Sequence, residues 1–158
     1  RRFPVRFHFR GAGFETHSAP TLAALGIAHL VEFLPALPYR AALQEMFEAD
    51  FLLLFQARNS NFQIPAKAYE YLRTSKPIFA AVDPAGDTAR LMHAQALAVT
   101  APIESTHTIT AALQGLVETL YAGGVPRCGG HSFEQYSRVR SAALLAELLN
   151  GTSARIRR

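Results

Sequence analysis

Cysteine is nearly absent: Cys128 is the only one in 158 residues, so neither an intramolecular disulfide nor a multi-cysteine zinc site can form. A reducing compartment is the simple expectation, and Cys128 reads as an incidental thiol. Long hydrophobic runs are also missing. The longest, Phe51 to Phe55 and Ile78 to Val82, have strand length and fall far below the roughly 20 residues of a membrane-spanning helix. The opening Arg1-Arg2-Phe3-Pro4 lacks the apolar run of a secretory signal. A cytosolic protein is expected.

Charge of one sign is not concentrated either. The formal charge is +4, and much of it lies at the ends, in Arg1, Arg2, Arg6 and Arg10 and in Arg155, Arg157 and Arg158. A nucleic-acid reader would carry a basic stripe with interleaved aromatics; neither Phe47 to Arg73 nor the last helix has one, so no nucleic-acid partner is expected. A basic end could touch an anionic membrane at the inner face, at about 1 kcal/mol per arginine near the headgroups. A solvated end is the plainer reading. His8, His17, His29, His93, His107 and His131 lack metal-ligand spacing, so no metal or other cofactor is expected. There is no internal repeat.

What is present is 49% apolar residues, enough for one domain with a sizeable core. Phe3 to Phe9 reads as a strand stopped by Gly11-Ala12-Gly13. Thr21 to Ala28, with Leu22, Leu25 and Ile27, reads as a short helix ended by Gly26, and Leu30 to Leu34 as a second strand. Pro35 and Pro38 bracket the turn out of it. Leu43, Met46 and Phe47 mark one face of a helix from Tyr39 to Ala49. Phe51 to Phe55 is apolar on both faces, as expected in the interior of a parallel sheet. Pro65 suits the first position of a helix to about Ser75, ended by Lys76-Pro77. Ile78 to Val82 is a second doubly buried strand; Asp87 can cap a helix to about Gln95, and Leu97 to Thr100 is a last strand. Helices from Thr106 to Tyr121 and from Phe133 to Asn150 close the chain, around a loop from Gly123 to Gly130.

Strands alternating with helices predict an α/β fold: one doubly wound, Rossmann-like parallel sheet in a single domain over residues 1–158, with its ligand crevice outside the carboxyl ends of the strands. The loops Arg10 to Phe14, Pro35 to Tyr39, Gln56 to Pro65, Asp83 to Thr88 and Ala101 to Ser105 all reach that edge. Among them, Asn61-Phe62-Gln63-Ile64-Pro65-Ala66-Lys67 opens a helix. Free N–H groups near Ile64 to Lys67 and the positive helix end favour a phosphate, and Lys67 adds a full charge. Glu70 shares the face of Lys67, so a cation for phosphate and a carboxylate for sugar hydroxyls stand side by side. The plainer alternative is an exposed ion pair worth a few tenths of a kcal/mol. Gly11 and Gly13 permit either close ligand approach or a simple turn. Asp87 and Thr88 are within reach of a donor phosphate or sugar, with helix capping as the structural alternative.

The run Ile64 to Leu72, followed by Lys76-Pro77-Ile78, resembles the donor-binding helix of retaining GT-B glycosyltransferases of the glycosyltransferase 4 (group 1) type. Val31 to Pro35, Leu37-Pro38-Tyr39 and Glu48-Ala49-Asp50 before Phe51 extend the resemblance over nearly the whole chain. It implies the carboxyl-terminal, nucleotide-sugar-binding domain, with a UDP-sugar or another nucleotide sugar as partner. By this resemblance Glu70 would hold the ribose. The turn Leu34, Pro35, Ala36 and Leu37 would meet the base through its backbone, and Asn61 to Lys67 would line the diphosphate and sugar. Phe62 stands where the family's commonest pattern has a second glutamate.

The resemblance also implies that the family's first strand and helix, and a whole amino-terminal domain with acceptor and catalytic residues, belong before Phe3. The chain then reads as a fragment whose catalytic residues are unassigned, with that domain and a second copy of itself as candidate partners. The absent strand would lie between the strands at Phe3 and Phe51, where unpaired backbone groups cost on the order of 1 to 3 kcal/mol each if buried. Either those strands close on each other, or a partner chain fills the gap. Phe133 and Tyr136 are candidates for contact with the other domain, or packing residues. The alternatives are a nucleotide-sugar epimerase of the same architecture and a non-catalytic nucleotide- or protein-binding module.

Overall fold

The computed structural model describes residues 4–94, 98–124 and 136–156, the last with side chains to residue 151. Phe7–Arg10 (β1) and Val31–Leu34 (β2) pair in parallel, Phe7 opposite Val31 and Arg10 opposite Leu34. Leu52–Phe55 (β3), Ile78–Val82 (β4) and Ala98–Pro102 (β5) make a second parallel sheet in the order β3-β4-β5. The α/β class and the parallel pairing are as expected. The single continuous sheet is not: among the described residues, ladder bonds run from β1 only to β2 and from β3 only to β4, which leaves two sheets of two and three strands. β1 and β3 therefore do not close on each other.

The helices follow local chemistry, with corrections at several of their ends. Glu15–Ala24 (α1) begins well before Thr21 and carries Pro20 inside it. A proline usually opens a helix because its missing N–H is unneeded there. Here Ser18 N–H already bonds the Phe14 carbonyl at 3.0 Å, and Glu15 sits favourably at the positive end. Gly26, in the left-handed region at φ 67°, ends α1, with Ile27 N–H on the Leu22 carbonyl at 3.0 Å. Tyr39–Glu48 (α2) follows Pro38 as expected. Ala66–Thr74 (α3) starts one residue after Pro65, which is extended at ψ 142° and caps the helix from outside.

A further correction concerns Asp87–Ala94 (α4). Arg90 N–H bonds the Gly86 carbonyl at 3.2 Å, so Gly86 is the capping residue and Asp87 the first helical one. Thr106–Tyr121 (α5) matches its expected bounds; Ser105 Oγ accepts from Thr108 N–H at 3.3 Å. Arg138–Ile156 (α6) runs past Asn150. Its expected start at Phe133, and Leu97 at the head of β5, lie outside the described residues, as does Cys128.

The core sits around β4, every residue of which is buried. Alternate side chains point to opposite faces. Ile78, Ala80 and Val82, with Leu54 of β3, meet Ala68 and Leu72 of α3 and Ala89 and Met92 of α4. Phe79 and Ala81 pack with Ala101 and with Leu116 of α5 on the other face. The expectation that Phe51 to Phe55 is sheet interior is corrected: β3 is an edge strand, and Phe55 is 52% exposed. Among the described residues, no helix is long and apolar enough to cross a membrane.

Candidate functional site

A strand that enters helix-flanked loops on one side delivers those loops to its carboxyl edge. After β3, the Gln56 side-chain amide donates to the Ser60 carbonyl at 2.9 Å and to the Gln63 carbonyl at 2.6 Å, folding Arg58 to Gln63 into a compact turn. After β4, the chain turns at Asp83-Pro84, with Ala85 N–H on Asp83 Oδ1 at 2.9 Å. Asn61 joins the two loops: its Nδ2 donates to Asp83 Oδ2 at 2.8 Å, and its carbonyl accepts from Asp87 N–H at 2.9 Å. Gly86 allows that approach, since a Cβ there would stand 3.1 Å from Asn61 Oδ1 and 3.2 Å from the Asp83 carbonyl.

Asp83 is the electrostatic centre of this edge. Its carboxyl is held below the usual carboxylate range by the Asn61 amide first, then by Ala85 N–H and the Arg58 charge, against partial desolvation. Arg58 Nε lies 3.1 Å from Asp83 Oδ2. With Pro84, Pro102, Ile103 and Glu104, the two line an open hollow of about 170 Å³ over the ends of β4 and β5. In the sequence Asp83 stood out only as the first residue of the loop Asp83 to Thr88. An acid at the end of a wholly apolar strand, on the ligand edge of an α/β sheet, was the available signal.

Lys67 and Glu70 leave the first two turns of α3, which begins on this same edge. Lys67 is exposed and Glu70 half-buried, and neither has a hydrogen-bond or ion-pair partner among the described residues, so the exposed ion pair does not form. The backbone N–H groups of Ile64, Ala66 and Lys67 likewise have no partner among them, whereas Ala68 N–H already bonds the Pro65 carbonyl at 2.9 Å. Neither Lys67 nor Glu70 lines the hollow at Asp83. Tyr71, next in the chain, has its phenol pushed up by burial and by the Glu70 charge.

The other singled-out residues divide. Phe62 projects into solvent at 93% exposure. Ile64 packs on the core, and the Gln63 carbonyl accepts from the buried Thr88 hydroxyl at 3.3 Å, so Thr88 ties the loop to α4 and turns no hydroxyl to the crevice. Asp87 pairs with Arg90. Beyond β1, Gly11 and Gly13 both have positive φ, 55° and 75°, and a Cβ on Gly11 would meet that of Ala36 at 3.0 Å. Gly11 N–H takes the Leu34 carbonyl at 2.9 Å and Arg10 takes that of Pro35 at 3.1 Å, which leaves Ala36 and Leu37 as the free stretch of that turn. Arg10 also grips Glu45 of α2 through two bonds of 2.7 and 2.6 Å. Tyr136 packs against Tyr69 of α3, the rings tilted by 51° with centres 5.5 Å apart. Phe133 lies outside the described residues. Among the described residues, no group of three or more His, Cys, Asp or Glu side chains could hold a metal ion.

No family model matches the chain, and neither does any curated protein.

Proposed function

We propose that this chain is the nucleotide-sugar-binding domain of a retaining glycosyltransferase, holding donor diphosphate and ribose at the amino end of α3 while transfer takes place in a cleft with a second domain. One observation supports the reading: among the described residues, the N–H groups of Ile64, Ala66 and Lys67 and the side chains of Lys67 and Glu70 have no hydrogen-bond or ion-pair partner, and all belong to the first two turns of α3 or the loop that leads into it. An anion is favoured by the first three, and vicinal hydroxyls suit a carboxylate that accepts two hydrogen bonds. The resemblance of Ile64 to Leu72 to a glycosyltransferase donor helix supports the same assignment. Phosphate oxygens would take the N–H groups and Lys67, and Glu70 would accept from the ribose. By itself the chain binds donor without turning it over.

Calorimetric titration with nucleoside diphosphates tests this. Saturable binding is expected, and Glu70→Ala should raise Kd roughly 10- to 100-fold, the worth of a charge-assisted hydrogen bond. Absence of saturable binding for every nucleoside diphosphate, or equal affinity in the variant, overturns the proposal.

A further inference from the structure

Every residue of α6 from Arg138 to Gly151 is exposed. Its leucines are nevertheless gathered on one side. Leu144 and Leu148 stand one turn apart, as do Leu145 and Leu149, and at about 3.6 residues per turn the four fall within an arc of about 140°. Outside that arc stand Val139, Arg140, Ala143, Ala146, Glu147 and Asn150. The four leucines are 43 to 70% exposed, a contiguous apolar stripe of the kind that marks an interaction surface. Charge is gathered on the same segment. From residue 138 onward the sequence has Arg138, Arg140, Arg155, Arg157 and Arg158 against Glu147 alone, which is the whole +4 of the chain. Residues 1–137 are balanced, with eleven basic and eleven acidic side chains.

We propose that α6 is a membrane-docking helix, which lies along the surface of an anionic lipid bilayer with Leu144, Leu145, Leu148 and Leu149 at the acyl boundary and the arginines among the headgroup phosphates. The inference rests on α6 alone and is independent of the donor site. A basic helix with one apolar side lies in the plane of such an interface, and α6 is not apolar enough to cross it. The charge selects the lipid: each arginine near an anionic surface adds attraction, and its long stem lets the guanidinium reach the phosphates while the leucines sink. The shape of α6 agrees. A ridge exposed all round from Arg138 to Gly151 needs an occupant that moulds to it, as fluid lipid does. A second copy of α6 fits less well, because pairing two such helices brings arginines of one sign together with only Glu147 on each to offset them.

The test is co-sedimentation of the full chain with vesicles of phosphatidylcholine alone and of phosphatidylcholine with about one third phosphatidylserine. The chain should bind the anionic vesicles, at least about tenfold more weakly the neutral ones, and less as salt is raised. Leu145→Glu with Leu149→Glu changes exposed positions, so its circular dichroism should match that of the natural chain while its vesicle affinity falls at least about tenfold. Leu148→Gln serves if that pair does not fold. Arg138→Gln with Arg140→Gln should weaken binding to the anionic vesicles, whereas Arg1→Gln with Arg2→Gln, at the other end of the chain, should not. Lack of binding to the anionic vesicles, affinity unchanged by the leucine substitutions, or affinity lost only with Arg1 and Arg2 would each overturn the proposal. So would a dimer, formed without vesicles, that the leucine substitutions dissolve.

Discussion

Residues 4–50 and residues 51–124 are built from the same parts, strands that alternate with helices of similar length, and differ in what those parts touch. In the second region β4 is buried along its whole length, and α3, α4 and α5 close over both its faces. In the first, not one described residue is buried; Phe9, Phe14 and Phe33 form a ring cluster with centroids 5.6 to 5.7 Å apart, and Phe14 remains 42% exposed. Secondary structure therefore does not report stability. Helices gain most of theirs from packing an apolar face, and α1 and α2 have little to pack on.

The contrast can be broken by deletion. Phe79→Ala, which empties the middle of β4, should cost about 3 to 5 kcal/mol, whereas Phe33→Ala in the partly exposed ring cluster should cost about 1 kcal/mol. Urea denaturation of both variants measures the gap; equal losses would mean that the two regions share one core. A smaller effect sharpens the comparison at the crevice. Gly86→Ala forces a Cβ to within 3.1 Å of Asn61 Oδ1 and should cost about 1 to 3 kcal/mol, with Asn61 displaced in a crystal structure of the variant. Gly13→Ala meets no atom within 4 Å but is strained by its φ of 75°, and should cost about 1 kcal/mol.

Acid gives the smallest effect. The Asp83 carboxyl is lowered in the folded protein, so the native state binds its proton more weakly than the unfolded chain. Its contribution is complete above the ordinary aspartate range and is lost as pH falls through the lowered value. The Tm difference between the natural chain and Asp83→Asn should thus shrink on acidification, and a difference constant with pH would remove Asp83 as the cause. Glu45, lowered chiefly by its hydrogen bonds to Arg10, should behave in the same sense.

Much of this was legible in the residues. Ile78 to Val82 has no polar side chain, so only a covered central strand suits it, and α5 has the bounds expected of the helix from Thr106 to Tyr121. Phe51 to Phe55 is equally apolar, and there the same reasoning misled. Composition tells that a strand wants cover on both faces, while its place in a sheet depends on which neighbours its edges find. The start of α1 at Glu15 was missed because a helix with no buried residue gives periodicity nothing to register. At the crevice, the first turns of α3 could be located from Pro65 and the Lys67–Glu70 spacing. The Asn61–Asp83 bond spans 22 residues and leaves no trace in local pattern.

That bond has a consequence for how the crevice responds to a guest. Asn61 holds the loop after β4 with its amide at 2.8 Å and the start of α4 with its carbonyl at 2.9 Å. A molecule that pushes one loop must move the other, so the rim yields as a single stiff piece. Its ordering entropy has already been surrendered during folding, and a guest at this rim forfeits little further freedom when it settles.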